Sequence, residues 1–110
     1  MISPNTPKEF MKIIQSNNDN YLFLSLTKTG CPACNSLKDY LRKVEEKKTV
    51  VKFINLDVSV FYEMAKLNKI SAVPTSMLVK VVNNNLVPIS EVIIGFSEEQ
   101  VNKSIMNIQK

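Results

Sequence analysis

Tyr21-Leu22-Phe23-Leu24-Ser25-Leu26-Thr27-Lys28-Thr29-Gly30-Cys31-Pro32-Ala33-Cys34 is the stretch on which the fold of this 110-residue chain turns. Its first seven residues are almost continuously apolar and bounded by polar turns, the pattern of a strand buried on both faces of a parallel sheet. A three-residue link follows, and then Cys31-Pro32-Ala33-Cys34, which holds both cysteines of the chain. From Pro32 to about Lys47, Leu37, Tyr40, Leu41 and Val44 recur at helical spacing, with Lys38, Arg42, Lys43 and Glu45 opposite them. The unit is strand, short loop, helix.

Two cysteines separated by two residues at a helix start are the sequence form of a reversible dithiol/disulfide centre. Disulfide exchange runs through thiolate attack on sulfur, so one thiol must ionise near neutral pH and a second must lie close enough to resolve the mixed disulfide. At the helix N-terminus, unpaired backbone N–H groups and the positive end of the helix dipole stabilise a Cys31 thiolate. Pro32 suits the first helical position, because its missing N–H has no partner there anyway. Cys34 falls one turn further in and is expected to be less exposed. Other readings of the pair are half of a zinc site, a bridging iron–sulfur cluster and two structural core cysteines. A closed zinc site wants four Cys or His ligands, and this chain has no histidine and no third cysteine, so either metal reading needs a second protomer.

Composition bounds the rest. With 45% hydrophobic and 22% charged residues, the chain is expected to form one domain over residues 1–110. The N-terminal residues show no basic leader and no apolar h-region, and no run approaches the ~20 apolar residues of a membrane span, so a soluble, cytoplasmic, monomeric protein is expected. The net charge of +4 comes from scattered lysines. The densest cluster, Arg42, Lys43, Lys47, Lys48 and Lys52, is interrupted by Glu45 and Glu46 and reads as a solvated helix face, so nucleic acid is not assigned as a ligand.

Outward from the core unit, Thr6-Pro7-Lys8-Glu9 opens a first helix as a capping box, and Asn17 to Asn20 closes it. Val50 to Asp57 gives a second strand. Ser59 is expected to cap a third helix with an inward stripe of Val60, Phe61, Met64, Ala65 and Leu67. Thr75 to Val82 is a third strand, Asn83 to Asn85 a turn, and Leu86 to Ile94 a fourth strand, placed at an edge because Pro88 cannot donate to a ladder. Ser97-Glu98-Glu99-Gln100 caps a last helix that buries Val101, Ile105 and Ile108. The order is α-β-α-β-α-β-β-α.

That order, with Cys31-Pro32-Ala33-Cys34 after the first strand and Val73-Pro74-Thr75 before the third, resembles the thioredoxin-like superfamily over almost the whole chain. The resemblance implies a three-layer α/β/α sandwich around a four-stranded mixed sheet of order 2-1-3-4 with the last strand antiparallel. The extra N-terminal strand of thioredoxins is expected to be absent, because the first helix begins so near Met1. It further implies a thiol-disulfide oxidoreductase with Cys31 as nucleophile and Cys34 as resolving thiol, without metal or organic cofactor. Pro32, Ala33, Val73 and Pro74 are the implied substrate-binding residues, Pro74 being cis and the backbone of Val73 pairing with an extended substrate. Protein disulfides are the implied substrates, with a reductase or glutathione as electron donor. A glutathione-dependent enzyme and a binding subunit with an incidental dithiol are the rival readings.

Three positions depart from the thioredoxin pattern. Ser25 stands where the buried acid falls, Phe53 where its lysine partner falls, and Gly30 where a tryptophan precedes the first cysteine. The Pro32-Ala33 pair is closer to glutaredoxins and disulfide-forming oxidases, yet Ala33 supplies neither the tyrosine of the former nor the histidine of the latter. Without that added stabilisation of the thiolate, a redox potential of about −200 to −260 mV is expected. Gly95-Phe96-Ser97 resembles the glutaredoxin loop that holds a carboxylate at a helix N-terminus, but Glu98 and Glu99 oppose an anion there, which favours plain capping.

Overall fold

The apolar run Tyr21–Thr27 forms the central strand β1 of a mixed sheet, in a computed structural model that describes residues 1–47 and 50–108. β1 pairs in parallel with β2 (Val51–Asp57), Tyr21 opposite Val51 and Thr27 opposite Asp57. Its other edge pairs antiparallel with β3 (Thr75–Val82), Leu26 opposite Thr75. The order is β2-β1-β3-β4, as the resemblance implies, and it is β3 that reverses direction against β1 and β2.

The hairpin after β3 departs from the single last strand expected. Asn83 and Asn84 both take positive φ, 51° and 63°, and form a two-residue turn whose twist suits a hairpin, so Asn85 belongs to the strand and not to the turn. The returning chain then divides into β4 (Asn85–Pro88) and β5 (Ile93–Ile94), both paired with β3. Between them the N–H groups of Ile89 and Ser90 both reach the Leu78 carbonyl, and Ser90 Oγ accepts from the Leu78 N–H at 3.1 Å. A side chain thus replaces a ladder carbonyl just after Pro88, and the strand breaks there.

Alternation along β1 sends its side chains to two helical layers. Leu22, Leu24 and Leu26 join Ile54, Leu56, Val79 and Val81 under Phe10 and Ile14 of α1 (Pro7–Gln15) and Ala65 of α3 (Tyr62–Leu67). Phe23 joins Phe53, Leu78 and Ile93 beneath Leu37, Leu41 and Val44 of α2 (Pro32–Glu45) and Val101 and Ile105 of α4 (Glu98–Met106). Each fully buried large side chain contributes about 1.5–3 kcal/mol, so these two clusters are what hold the sandwich together.

The caps at α1 and α4 are as read, with a detail at each. Thr6 Oγ1 accepts from the Glu9 N–H at 3.1 Å, and the Glu9 carboxylate reaches back to the N–H of Asn5. Ser97 Oγ accepts from the Gln100 N–H at 3.2 Å. At α3 the expectation fails. Ser59 donates both its N–H and its hydroxyl to Asp57 Oδ1, and the helix starts later, with Phe61 at its N-cap and no side-chain cap. Phe61 and Ala65 are buried and Met64 packs on the cluster, whereas Val60 and Leu67 are exposed. Val60 precedes the N-cap and so lies outside the helix, and at 3.6 residues per turn Leu67 falls about 120° away from Phe61, off the inward face.

The N-terminal strand is not wholly absent. Ile2 forms an isolated parallel bridge to Ile54, its N–H on the Phe53 carbonyl and its carbonyl accepting from Asn55. Of the basic cluster on α2 and beyond, Lys48 lies outside the described residues, and Arg42 pairs with Asp39 on the exposed helix face at 3.2 Å.

Candidate functional site

Topology brings two loops to one end of the sheet. β1 ends at Thr27 and leads to Cys31, while β3 begins at Thr75, opposite Leu26, so Pro74 comes in alongside Thr27. The turn between them depends on Gly30, whose φ of +79° only glycine adopts without strain. A tryptophan at that position would need a different backbone path.

Cys31 is the N-cap residue of α2 and Pro32 is the first helical residue, as read from the sequence. Cys31 and Cys34 form a disulfide with Cα atoms 5.2 Å apart. The Cys34 N–H donates to Cys31 Sγ at 3.1 Å, so the sulfur occupies the place of a capping oxygen. Both cysteines are buried, but Cys31 retains 8% exposure and Cys34 none, so Cys31 is the one nearer the surface. Pro32 and Ala33 are exposed on the same turn. Such a site can exchange its disulfide with an external thiol at Cys31 and close it again from Cys34.

The Val73–Pro74 peptide is cis. Thr75 Oγ1 donates to the Ala72 carbonyl at 2.6 Å across this turn, and the Gly95 N–H donates to the Pro74 carbonyl at 2.8 Å. Pro74 is buried and Val73 half-buried, leaving Val73 at the surface of the end that carries Cys31.

A family model described as thioredoxin matches residues 1–106. The chain belongs to the thioredoxin family. Its fold is that of solved thioredoxins: the Fasciola hepatica protein superposes with a TM-score of 0.81 at 20% identity, covering 97% of this chain and 98% of the other. The germline-specific Deadhead thioredoxin of Drosophila melanogaster gives 0.84 at 19% identity over 98% and 99%. Mitochondrial thioredoxin 3 of Saccharomyces cerevisiae gives 0.77 at 24% identity over 98% and 95%. A search of curated protein sequences finds no match.

Among the described residues, the interior beneath this site is neutral. Ser25 is fully buried and donates to Asn55 Oδ1 at 3.2 Å, Thr27 donates to the same oxygen at 2.9 Å, and Phe53 packs on Phe23 with ring centroids 5.8 Å apart. Among the described residues no buried polar side chain is ionisable. Asn55 and Ser76, which complete this polar set, drew no attention in the sequence. Only the register of β1 with β2 and β3, invisible before pairing is known, sets them beside Ser25.

Asp57 is a second group that sequence reading passed over. It ends β2 opposite Thr27, and its carboxyl is held below the ordinary 3.8 by the Ser59 hydroxyl and Ser59 N–H; partial burial opposes them, and the nearby Lys38 charge adds to them. Lys38, on the polar face of α2, therefore faces a carboxylate. For an acid with a depressed folded value, the stabilisation is present above the unfolded value and is lost as pH falls through the folded one. Asp57→Asn is thus expected to lower stability at pH 7 and to match the parent once the pH is well below 3.8. Urea unfolding at the two pH values checks this.

Proposed function

We infer that this thioredoxin is a protein dithiol–disulfide oxidoreductase, acting as a cytoplasmic monomer without a bound metal or organic cofactor. The observation that carries the reading is the Cys31–Cys34 disulfide at the α2 N-terminus, with Cys31 just reaching the surface and Cys34 wholly buried. In the reduced protein, the Cys31 thiolate attacks one sulfur of a client disulfide. A Cys31–client bond forms, the client S–S bond breaks, and the second client sulfur leaves as a thiolate that takes a proton. Cys34 then loses its proton and attacks Cys31 Sγ, so the mixed disulfide breaks, the client leaves reduced and the protein disulfide forms. Two electrons from a reductase or glutathione return it to the dithiol.

The backbone of Val73, with Pro32, Ala33 and Pro74 around it, pairs with an extended client segment beside Cys31. Protein clients are favoured over glutathione by the state of the Gly95–Ser97 loop. The Gly95 N–H is already used by Pro74, the Gln100 N–H is capped by Ser97 Oγ, and Glu98 and Glu99 put negative charge in the first turn of α4. Catalysed reduction of a model protein disulfide by dithiothreitol tests the assignment, run beside the reduction of a small mixed disulfide by glutathione alone. Acceleration of the first by this protein is expected. Acceleration of the second only would make it a glutathione-dependent enzyme, and acceleration of neither would leave a binding subunit.

A further inference from the structure

Asn55, Ser25 and Ser76 stand directly opposite one another across β2, β1 and β3, so their side chains share one face of the sheet. The preceding row on that face is Phe53, Phe23 and Leu78, and Leu37 of α2 packs into the same cluster. α2 connects the parallel strands β1 and β2 and so runs back against β1. One helical turn back from Leu37 is Cys34, a rise of about 4.5 Å. One pleat repeat along β1, about 6.6 Å, leads from the Phe23 row to the Ser25 row. The wholly buried Cys34 therefore lies at the level of the polar row along the strand direction.

The hydroxyls of that row are not alike. Ser25 Oγ has two acceptors in reach, Asn55 Oδ1 at 3.2 Å and the Ile54 carbonyl at 3.4 Å, and Thr27 of the next row donates to the same Asn55 oxygen. Ser76, 1% exposed, has no hydrogen-bond partner for Oγ among the described residues. A buried hydroxyl left in this state destabilises the form that contains it. The structure is that of the disulfide, in which the Cys34 sulfur carries no proton and no charge and accepts weakly. Reduction breaks the S–S bond. Two electrons and two protons leave a donor dithiol, which becomes a disulfide; one proton stays on Cys34, and Cys31 keeps the other or releases it to water. The Cys34 sulfur keeps its two lone pairs but is no longer tied to Cys31, and it becomes a strong, charge-assisted acceptor whenever it ionises.

We propose that Ser76 is the hydrogen-bond donor to the Cys34 sulfur in the reduced protein and loses that partner in the disulfide, so that one buried hydroxyl biases the couple toward the dithiol. This rests on the reading of Cys31 and Cys34 as a reversible couple. The same hydroxyl eases ionisation of Cys34 when it attacks the mixed disulfide.

The test is equilibration of the parent, Ser76→Ala and Ser76→Thr with glutathione redox buffers, read by thiol alkylation, with unfolding curves for both redox forms. Ser76→Ala is expected to shift the equilibrium about tenfold toward the disulfide, equivalent to about 30 mV. It should also raise the Cys34 pKa followed by thiolate absorbance, and leave the oxidised form as stable as the parent or more so. Ser76→Thr keeps the hydroxyl and should stay near the parent. A folded Ser76→Ala protein with an unshifted equilibrium and an unshifted Cys34 pKa overturns the proposal while the parent still exchanges. A parent that does not equilibrate with glutathione at all removes the reading beneath it.

Discussion

Replacing Cys34 by serine is expected to turn the protein into a trap: covalent adducts with client proteins accumulate and catalytic turnover falls to background. Cys31→Ser loses turnover equally but captures almost nothing. The asymmetry is expected from the proposed roles, in which Cys31 at the helix terminus, 8% exposed, attacks and Cys34, wholly buried, releases. Neither variant should fail for want of folding. The disulfide closes a loop of only three residues' separation, and the chain-entropy model assigns such a crosslink about 2 kcal/mol. That is small beside the stability of a typical domain, so oxidised and reduced forms both persist. Non-reducing electrophoresis of each variant after exposure to a disulfide-bonded protein gives the answer. Capture by Cys31→Ser in place of Cys34→Ser would reverse the two roles, and capture by neither would favour the binding-subunit reading.

Legibility followed the range of the physics involved. The bounds of β1, β3 and the N-termini of α1, α2 and α4 depend on neighbours in sequence: an apolar run, a proline at the first helical position, a hydroxyl or thiol at the cap. Those were readable. The breaking of the last strand was not, because it turns on Ser90 reaching a backbone N–H of β3 twelve residues away. Asp57 behaves similarly. Its partner Ser59 is only two residues on, yet that Ser59 turns back to the carboxylate instead of capping α3 depends on how β2 ends beside Thr27. The cysteines were plain from spacing alone, whereas the polar row beneath them exists only through strand register. Ser25 was visible as a missing acid; that Asn55 and Ser76 flank it was not.

The missing acid leads to the second large effect. Ser25→Asp places a carboxyl at a fully buried site where Asn55 and neighbouring hydroxyls offer neutral hydrogen bonds and no cation, since Phe53 occupies the lysine position. Burial without a counter-charge raises the folded-state pKa of an acid above the unfolded value of about 3.9. The sign is opposite to that of Asp57. Below about pH 4 the carboxyl is protonated in both states and ionisation adds no penalty. Above it the unfolded chain ionises first, and stability relative to the parent falls by about 1.4 kcal/mol per pH unit until the folded value is reached. A rise of two to three units makes the loss at neutral pH about 3–4 kcal/mol, enough to unfold a marginal domain. Phe53→Lys alone is expected to be at least as damaging, because it removes a core ring packed on Phe23 and buries an ammonium group. Phe53 and Ser25 lie on the same sheet face one pleat repeat apart, so the double variant lets the two charges meet and should be less destabilised than the sum of the singles. Urea unfolding of all four proteins between pH 4 and 8 measures both the slope and the coupling. A Ser25→Asp deficit that does not change with pH, together with strict additivity in the double variant, would mean that this interior is wetter and more polar than its packing indicates.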